Sequence, residues 1–275
     1  MIGLLPAPGT PFPMTLQTTA SERIRQRPAV HWMPRQHGAW AMLGVPLVLG
    51  VLASRPDPWQ LALAGAAVSA YIASSNLLEW TRARRPAYLR PAAAFGVVLV
   101  VSGLALIARF PPLVWFAAGM ACAGLLTLAI AAAGHPRSIG ASLTQSAQAV
   151  LLAPTAAVVA GIAPGAPSVL HATLVAGLYL LSSVLVVRSM IRERGSRSFL
   201  AASVAYHAAA VLVEAAVLPW AYAAVGVLFE FRAVALPLLQ QRLADTPRRL
   251  RPVHVGLVEL CAAAALVLVA AIVRF

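Results

Sequence analysis

The sequence predicts an all-α integral membrane protein built from nine transmembrane helices. Among its 275 residues, 60% are hydrophobic and the mean hydropathy is +0.81, whereas soluble domains are only about half apolar. The apolar residues fall into separate runs of about 20 residues, the length of helix that crosses a bilayer. These runs are 38–54, 58–80, 91–109, 112–133, 140–163, 167–190, 198–218, 220–240 and 254–273.

Proline and glycine separate the runs, as they do between helices generally. The joint VLPW, residues 217–220, carries the weakest signal, because a single proline can also kink one continuous helix. Before the first run, residues 1–32 are polar, basic and proline-rich, and they lack the apolar core of a signal peptide. We expect a flexible basic cytoplasmic tail there, followed by a single multi-pass membrane domain over residues 33–275.

The positive charge predicts an orientation rather than a nucleic-acid partner. All 21 basic residues are arginine, and they lie in short clusters between the apolar runs instead of on one polar face. If the N-terminus is cytoplasmic, about 16 of the 21 arginines lie on the cytoplasmic side, while Arg55, Arg109 and Arg274 lie outside. The positive-inside rule therefore predicts a cytoplasmic N-terminus, an external C-terminus and membrane lipids as partners.

Two short patterns occur twice, in the same order and at similar offsets. PRQHGAW (34–40) opens the first run and PRSIGAS (136–142) the fifth, whereas SSNLLEWTRARR (74–85) closes the second and SSVLVVRSMIRER (182–194) the sixth. A shift by four helices preserves membrane orientation, so the repeats are parallel. The fold we predict is two parallel four-helix units, about 34–134 and 136–240, plus a final helix over 254–273.

Several segments resemble the YwiC-like family of bacterial membrane proteins. The resemblance rests on MPRQHGAWAMLGVPLVLG (33–50), VRSMIRER (187–194), FRAVALPLL (231–239) and GLVE (256–259). It implies a protein of the bacterial cytoplasmic membrane, in a family without a settled function.

The nine-helix layout is also similar to the UbiA prenyltransferase superfamily. That resemblance implies aspartate-rich motifs at the cytoplasmic ends of the second and sixth helices, which hold Mg²⁺ on a prenyl diphosphate. In the first motif Asn76 matches, but Trp80 and Arg84 stand where the aspartates belong, and VRSMIRERG has no aspartate. The resemblance therefore implies the fold without the family's metal ligands, and the cofactor, Mg²⁺ included, stays open.

Polar residues at the ends of the second and sixth runs are the first candidates for a site. Asn76 and Glu79 share a helix face at i, i+3, and Arg188 and Arg192 share one at i, i+4. Guanidinium forks suit phosphate and carboxylate groups. Alternatively, Glu79 pairs with Arg82 to end its helix, and the two arginines are ordinary positive-inside charges that reach lipid phosphates.

The repeated Pro-Arg frame predicts further polar groups at the same membrane side. His37 lies at the start of the first helix, and Gln145 and Gln148 lie one turn into the fifth. We expect these side chains to face one cytoplasm-facing pocket together with Asn76, Glu79, Arg188 and Arg192, joined by Glu259 from the last helix. The alternative for His37 is a helix-entry residue bonded to a backbone carbonyl.

Two charges are predicted near the middle of the eighth span. Glu230 and Arg232 are two residues apart, so they point about 200° away from each other and need partners elsewhere. His207 and Glu214 share a face of the neighbouring seventh helix. We expect Arg232 to pair with Glu214 or with Glu79, or to take part in catalysis.

These residues support several functions. The first is a UbiA-like enzyme that acts on, or binds, an isoprenoid or lipid with an anionic head. Glu79 or His37 would be the acid or base, no protein-bound metal site is predicted, and the following residues would bind substrate: Asn76, Gln145, Gln148, Arg188, Arg192, Glu230 and Arg232. The alternatives are a transporter of lipids or small molecules and a non-catalytic assembly partner of a membrane complex.

Overall fold

The computed structural model describes residues 32–34, 37–243, 250 and 252–275, with the side chains of 37–39 and 252 left out. Regular structure in these ranges is entirely helical. The α-helices are α1 (His37–Ala53), α2 (Trp59–Ala83), α3 (Leu89–Arg109), α4 (Leu113–Ala132), α5 (Ile139–Val150), α6 (Leu152–Val159), α7 (Pro167–Ile191), α8 (Arg197–Val217), α9 (Trp220–Arg242) and α10 (Pro252–Val273). A short 3-10 helix, Pro86–Tyr88, precedes α3.

Seven of these helices are long and apolar enough to cross a membrane: α2, α3 with its 3-10 extension, α4, α7, α8, α9 and α10. This confirms the prediction of an all-α membrane protein with several spans. The joint at VLPW is present, because α8 ends at Val217 and α9 begins at Trp220. The predicted tail over residues 1–32 lies, except for Trp32, outside the described residues.

Two predicted spans differ from a full-length helix. The first corresponds to α1, which has 17 residues. The fifth is divided into two helices, α5 and α6. A proline in the sequence explains this division. Pro154 has no N–H to donate, and its ring conflicts with the carbonyl four residues earlier, that of Val150, where α5 ends.

Hydrogen bonds between helix ends identify the two ends of the bundle. At one end, α1 and α7 meet where Ser168 Oγ donates to Ala53 O at 2.9 Å, and Gln60 of α2 donates to Ala156 O of α6 at 3.0 Å. At the other end, Arg188 of α7 donates to Arg137 O at 3.0 Å. We call this second side the arginine-rich end and the first the opposite end.

Helices α1 and α7 form the centre of the bundle. Helix α7 contacts α1, α5, α6, α8, α9 and α10, and α1 contacts α2, α5, α6, α7 and α10. Leu49, Ala176 and Leu180 are fully buried between them. The approach of α1 to α6 requires a glycine, because a Cβ at Gly50 would collide with the backbone of Ala153.

Two trios of helices pack in the same way. Helix α2 contacts α3 and α4, which contact each other, and α7 contacts α8 and α9, which also contact each other. Helices α2 and α7 each contact α1 and α6, but they make no helix–helix contact with one another in the described part of the chain. Such packing is what two repeated four-helix units would need, and the repeat itself stays a prediction.

Candidate functional site

Three segments bring arginines together at the arginine-rich end. The Nη1 atoms of Arg188 and Arg192 donate to the same oxygen, the carbonyl of Arg137, at 3.0 and 2.6 Å. That carbonyl lies in the loop before α5, where Ser138 caps the helix by accepting from the Ala141 N–H. The i, i+4 spacing on α7 therefore places two guanidiniums side by side, as predicted.

The end of α2 contributes a further arginine. Burial and the guanidiniums of Arg188, Arg137 and Arg82, in decreasing order of effect, lower the pKa of Arg192. Helices α2 and α7 thus present positive charge to one place, although their helical segments are not in contact. We call Arg82, Arg137, Arg188 and Arg192 the arginine cluster.

Two carboxylates lie beside the arginine cluster. Glu79 Oε1 is 2.8 Å from Arg82 Nη1, and Glu193 Oε1 is 3.1 Å from Arg188 Nη2. Four guanidiniums with two carboxylates leave two positive charges unmatched within the described part of the chain. The Nε of Arg188 is buried and has no hydrogen-bond partner among the described residues. The arrangement offers forked donors to an anion at this end of the bundle.

The other residues predicted for the pocket lie in different surroundings. Asn76 is buried, and its Nδ2 donates to Ile72 O at 2.9 Å and to Trp32 O at 3.4 Å. Gln145 is exposed on α5, whereas Gln148 lies against Gly124 of α4. Helix α1 begins at His37, but the histidine side chain lies outside the described residues.

A second set of polar groups lies inside the bundle. Arg232 Nη1 is 2.9 Å from Glu259 Oε1, and the two side chains are only 6% and 5% exposed. The guanidinium also lies over the ring of Phe229, 4.7 Å from its centroid. The expected pairing of Arg232 with Glu214 or Glu79 is therefore wrong, because α10 packs against α9 and supplies the carboxylate.

The ion pair continues into a chain of hydrogen bonds. Arg232 Nη2 donates to Ser182 Oγ at 2.6 Å, Ser182 Oγ lies 2.7 Å from His207 Nε2, and His207 Nδ1 lies 2.7 Å from Ser203 O. The Ser203 carbonyl can only accept, so Nδ1 carries the proton. In the neutral ring Nε2 then accepts from the Ser182 hydroxyl. We call Glu259, Arg232, Ser182 and His207 the buried network.

Comparison with known families matches less than half of the chain. The family model described as YwiC-like protein matches residues 33–157. Residues 33–157 are therefore similar to that family. The predicted YwiC-like resemblance is thereby confirmed over residues 33–157, whereas the segments cited after residue 157 lie outside the match. The matched region includes α1 to α5, with Arg82 and Arg137 of the arginine cluster. Comparisons with curated proteins and with solved structures gave no match. The likeness to the UbiA superfamily stays a prediction.

One predicted residue of this chain joins neither set. Glu230 lies on α9, half-buried beside the lipid-facing Phe231, and its Oε2 has no hydrogen-bond partner among the described residues. It points away from Arg232, as the two-residue spacing predicts. Sequence reasoning listed Glu259 only as an addition to the pocket and did not include Ser182. The GLVE segment in the last apolar run was the available signal for Glu259.

Proposed function

We propose that this membrane protein binds the phosphate or diphosphate head of an isoprenoid or other lipid-like amphiphile at the arginine cluster. The single observation that supports this is that Arg188 and Arg192 donate to one carbonyl oxygen, where the charges of Arg137 and Arg82 also act on Arg192 and only two carboxylates are paired with the four arginines. Like charges that act on one another repel, and a phosphate bound among them would relieve the repulsion through charge-assisted hydrogen bonds.

The donor set favours an anion held directly rather than through Mg²⁺. Magnesium prefers oxygen ligands and usually takes one or two protein carboxylates. Glu79 and Glu193 each lie against an arginine, and the described residues include no group of three potential metal ligands. We therefore expect binding to persist when divalent metal is removed.

The positions of the arginines support a site facing the cytoplasm. Ten described arginines lie at or beyond the arginine-rich end, and only Arg55, Arg109 and Arg274 lie at the opposite end. The positive-inside rule orients such an asymmetry with the richer end inside. The ten are Arg82, Arg84, Arg85, Arg90, Arg137, Arg188, Arg192, Arg194, Arg197 and Arg242.

If the site is catalytic, Glu79 is the candidate general base. Its carboxylate is partly exposed and lies beside the cluster, 2.8 Å from Arg82. A bound phosphate that draws Arg82 away would free the carboxylate to accept a proton. Catalysis by Glu79, or by His37, remains a hypothesis that depends on ligand binding.

Thermal unfolding in detergent tests the proposal. The ligands are prenyl diphosphates of several lengths, each with Mg²⁺ and with a chelator, and prenyl alcohol and inorganic diphosphate serve as the two half-ligands. A ligand at 100 times its Kd adds about 2.7 kcal/mol to the stability of the folded state. We expect prenyl diphosphate to raise the melting temperature equally with and without chelator, and prenyl alcohol to have no comparable effect.

A matched pair of double variants locates the site. Arg188→Gln with Arg192→Gln removes two cluster charges, whereas Arg194→Gln with Arg197→Gln removes two charges from the adjoining loop. The cluster variant should lose the shift and the loop variant should keep it. If both variants lost the shift equally, the ligand would be responding to general positive charge rather than to the arginine cluster. A folded wild-type protein that no prenyl diphosphate stabilises would overturn the proposal.

A further inference from the structure

Glu214 on α8 is a buried carboxyl that neither set of polar residues uses. It lies three residues before the end of α8, and its side chain is 5% exposed. Its Oε2 atom is buried and has no hydrogen-bond partner among the described residues. The ion pairs found in the described part of the chain join Glu79, Glu193 and Glu259 to arginines, and none includes Glu214.

A glycine on the neighbouring helix provides the space for this carboxyl. Gly226 of α9 faces Glu214 so closely that a Cβ there would collide with Oε2 and would lie 3.1 Å from a methyl group of Val211. The carboxyl is therefore packed between the α9 backbone and apolar side chains rather than directed into the lipid. A bulkier residue at position 226 would displace it.

We propose that Glu214 is a proton-binding site within the membrane, whose carboxyl carries an exchangeable proton in the resting protein. A carboxylate without a counter-charge is strongly disfavoured in hydrocarbon, and membrane proteins use such carboxyls to take up and release protons. A metal cation would need several oxygen ligands, whereas here one carboxyl lies against a glycine and a valine.

The polar network of the described residues lies on the arginine-rich side of Glu214. His207 lies seven residues earlier on the same face of α8, two turns towards the arginine-rich end. Through Ser182 it connects to Arg232 and then to Glu259. Tyr206, the adjacent titratable residue, donates its hydroxyl to Leu178 O at 2.9 Å. Seven residues of helix separate Glu214 from His207 by about 10 Å along the axis. Exchange would therefore need water between the two side chains, or would proceed across the short remainder of α8.

Infrared spectroscopy of the full-length protein in liposomes tests this site. The comparison uses a Glu230→Gln background, which removes the other span carboxyl that lacks an arginine. A protonated carboxyl absorbs through its C=O stretch, separately from a carboxylate. We expect that band in the background protein, its loss on adding Glu214→Gln, and its retention on adding Glu79→Gln, which removes a carboxylate paired with arginine. In D₂O the band should shift, because the proton exchanges.

Three results would overturn the proposal. The band could survive in the Glu214→Gln variant, which would place the protonated carboxyl elsewhere. The band could fail to shift in D₂O, which would make the proton structural. The band could also disappear when Na⁺ replaces choline at constant ionic strength, which would identify a cation as the occupant. Gly226→Ala gives an independent check, since displacing Glu214 should move or broaden the same band.

Discussion

The two ion pairs Arg82–Glu79 and Arg232–Glu259 have almost the same length and opposite surroundings. Their N–O distances are 2.8 and 2.9 Å, but the side chains of the first are 29% and 41% exposed, whereas those of the second are 6% and 5% exposed. Exposed pairs contribute little because water and salt screen them. Breaking a buried pair leaves an uncompensated charge in a low-dielectric interior. The burial of the two side chains, rather than their N–O distance, therefore determines how much each ion pair matters to stability.

The same difference explains the charge balance of the two regions. In the buried network, one arginine meets one glutamate, Arg232 Nη2 donates to Ser182, and the two ring nitrogens of His207 lie against a serine hydroxyl and a carbonyl. In the arginine cluster, four guanidiniums have two carboxylates. An excess of that kind is sustainable only where water, lipid phosphate or a ligand can approach. The cluster is therefore suited to binding, and the network to holding four helices together.

Glu259→Gln is expected to give the largest loss of stability. The substitution leaves Arg232 charged and buried without a counter-charge, which typically costs about 3–5 kcal/mol. Titration of the purified protein with SDS in mixed micelles would measure the free energy of unfolding.

The double variant Arg232→Met with Glu259→Leu is its control. It removes both charges and keeps similar volumes, so it should recover most of the stability lost in the single variant. A double variant as unstable as Glu259→Gln would mean that the charges act independently, against the pairing seen in the structure.

Ser182→Ala is expected to have an intermediate effect. The serine hydroxyl both accepts from Arg232 and donates to His207, so its loss leaves two buried groups unsatisfied. The expected cost is about 1–3 kcal/mol. Ser189→Ala is a close match, because that hydroxyl is also on α7 and buried but donates only to Val186 O of its own helix. Equal losses in the two variants would remove Ser182 from the network.

Much of the fold could be predicted from the sequence, because hydrocarbon imposes a simple rule on it. Apolar runs must be helical and about 20 residues long, so the helix bounds follow the runs within a few residues. The division of the fifth run at Leu151 was missed. A proline inside an apolar run signals a kink, but sequence alone does not say whether neighbouring helices will accommodate it.

Partners between helices could not be predicted in the same way. The spacing of Arg188 and Arg192 predicts that they share one face of their helix. In the structure both side chains donate to the same carbonyl oxygen. The partner of Arg232 depends on which helix packs beside α9, and that is decided by packing over the whole bundle. Proximity in the sequence suggested Glu214 as this partner, whereas the structure pairs Arg232 with Glu259 of α10. The surroundings of Asn76 and Gln148 likewise depend on packing, and their predicted roles in binding stay predictions.

Glu79→Gln should have the smallest effect on stability and a favourable effect on binding. Its pair with Arg82 is exposed, so the free energy of unfolding should change by less than about 1 kcal/mol. The substitution also releases Arg82 and raises the unmatched charge of the arginine cluster from two to three. Inorganic diphosphate and prenyl diphosphate should then bind more tightly, and the gain should shrink as salt is added, because exposed charges are screened. Glu193→Gln, which releases Arg188 in the same way, should behave alike. If Glu79→Gln lost as much stability as Glu259→Gln, depth would not be what separates the two ion pairs. If it weakened anion binding, the carboxylate would be positioning the ligand instead of competing with it.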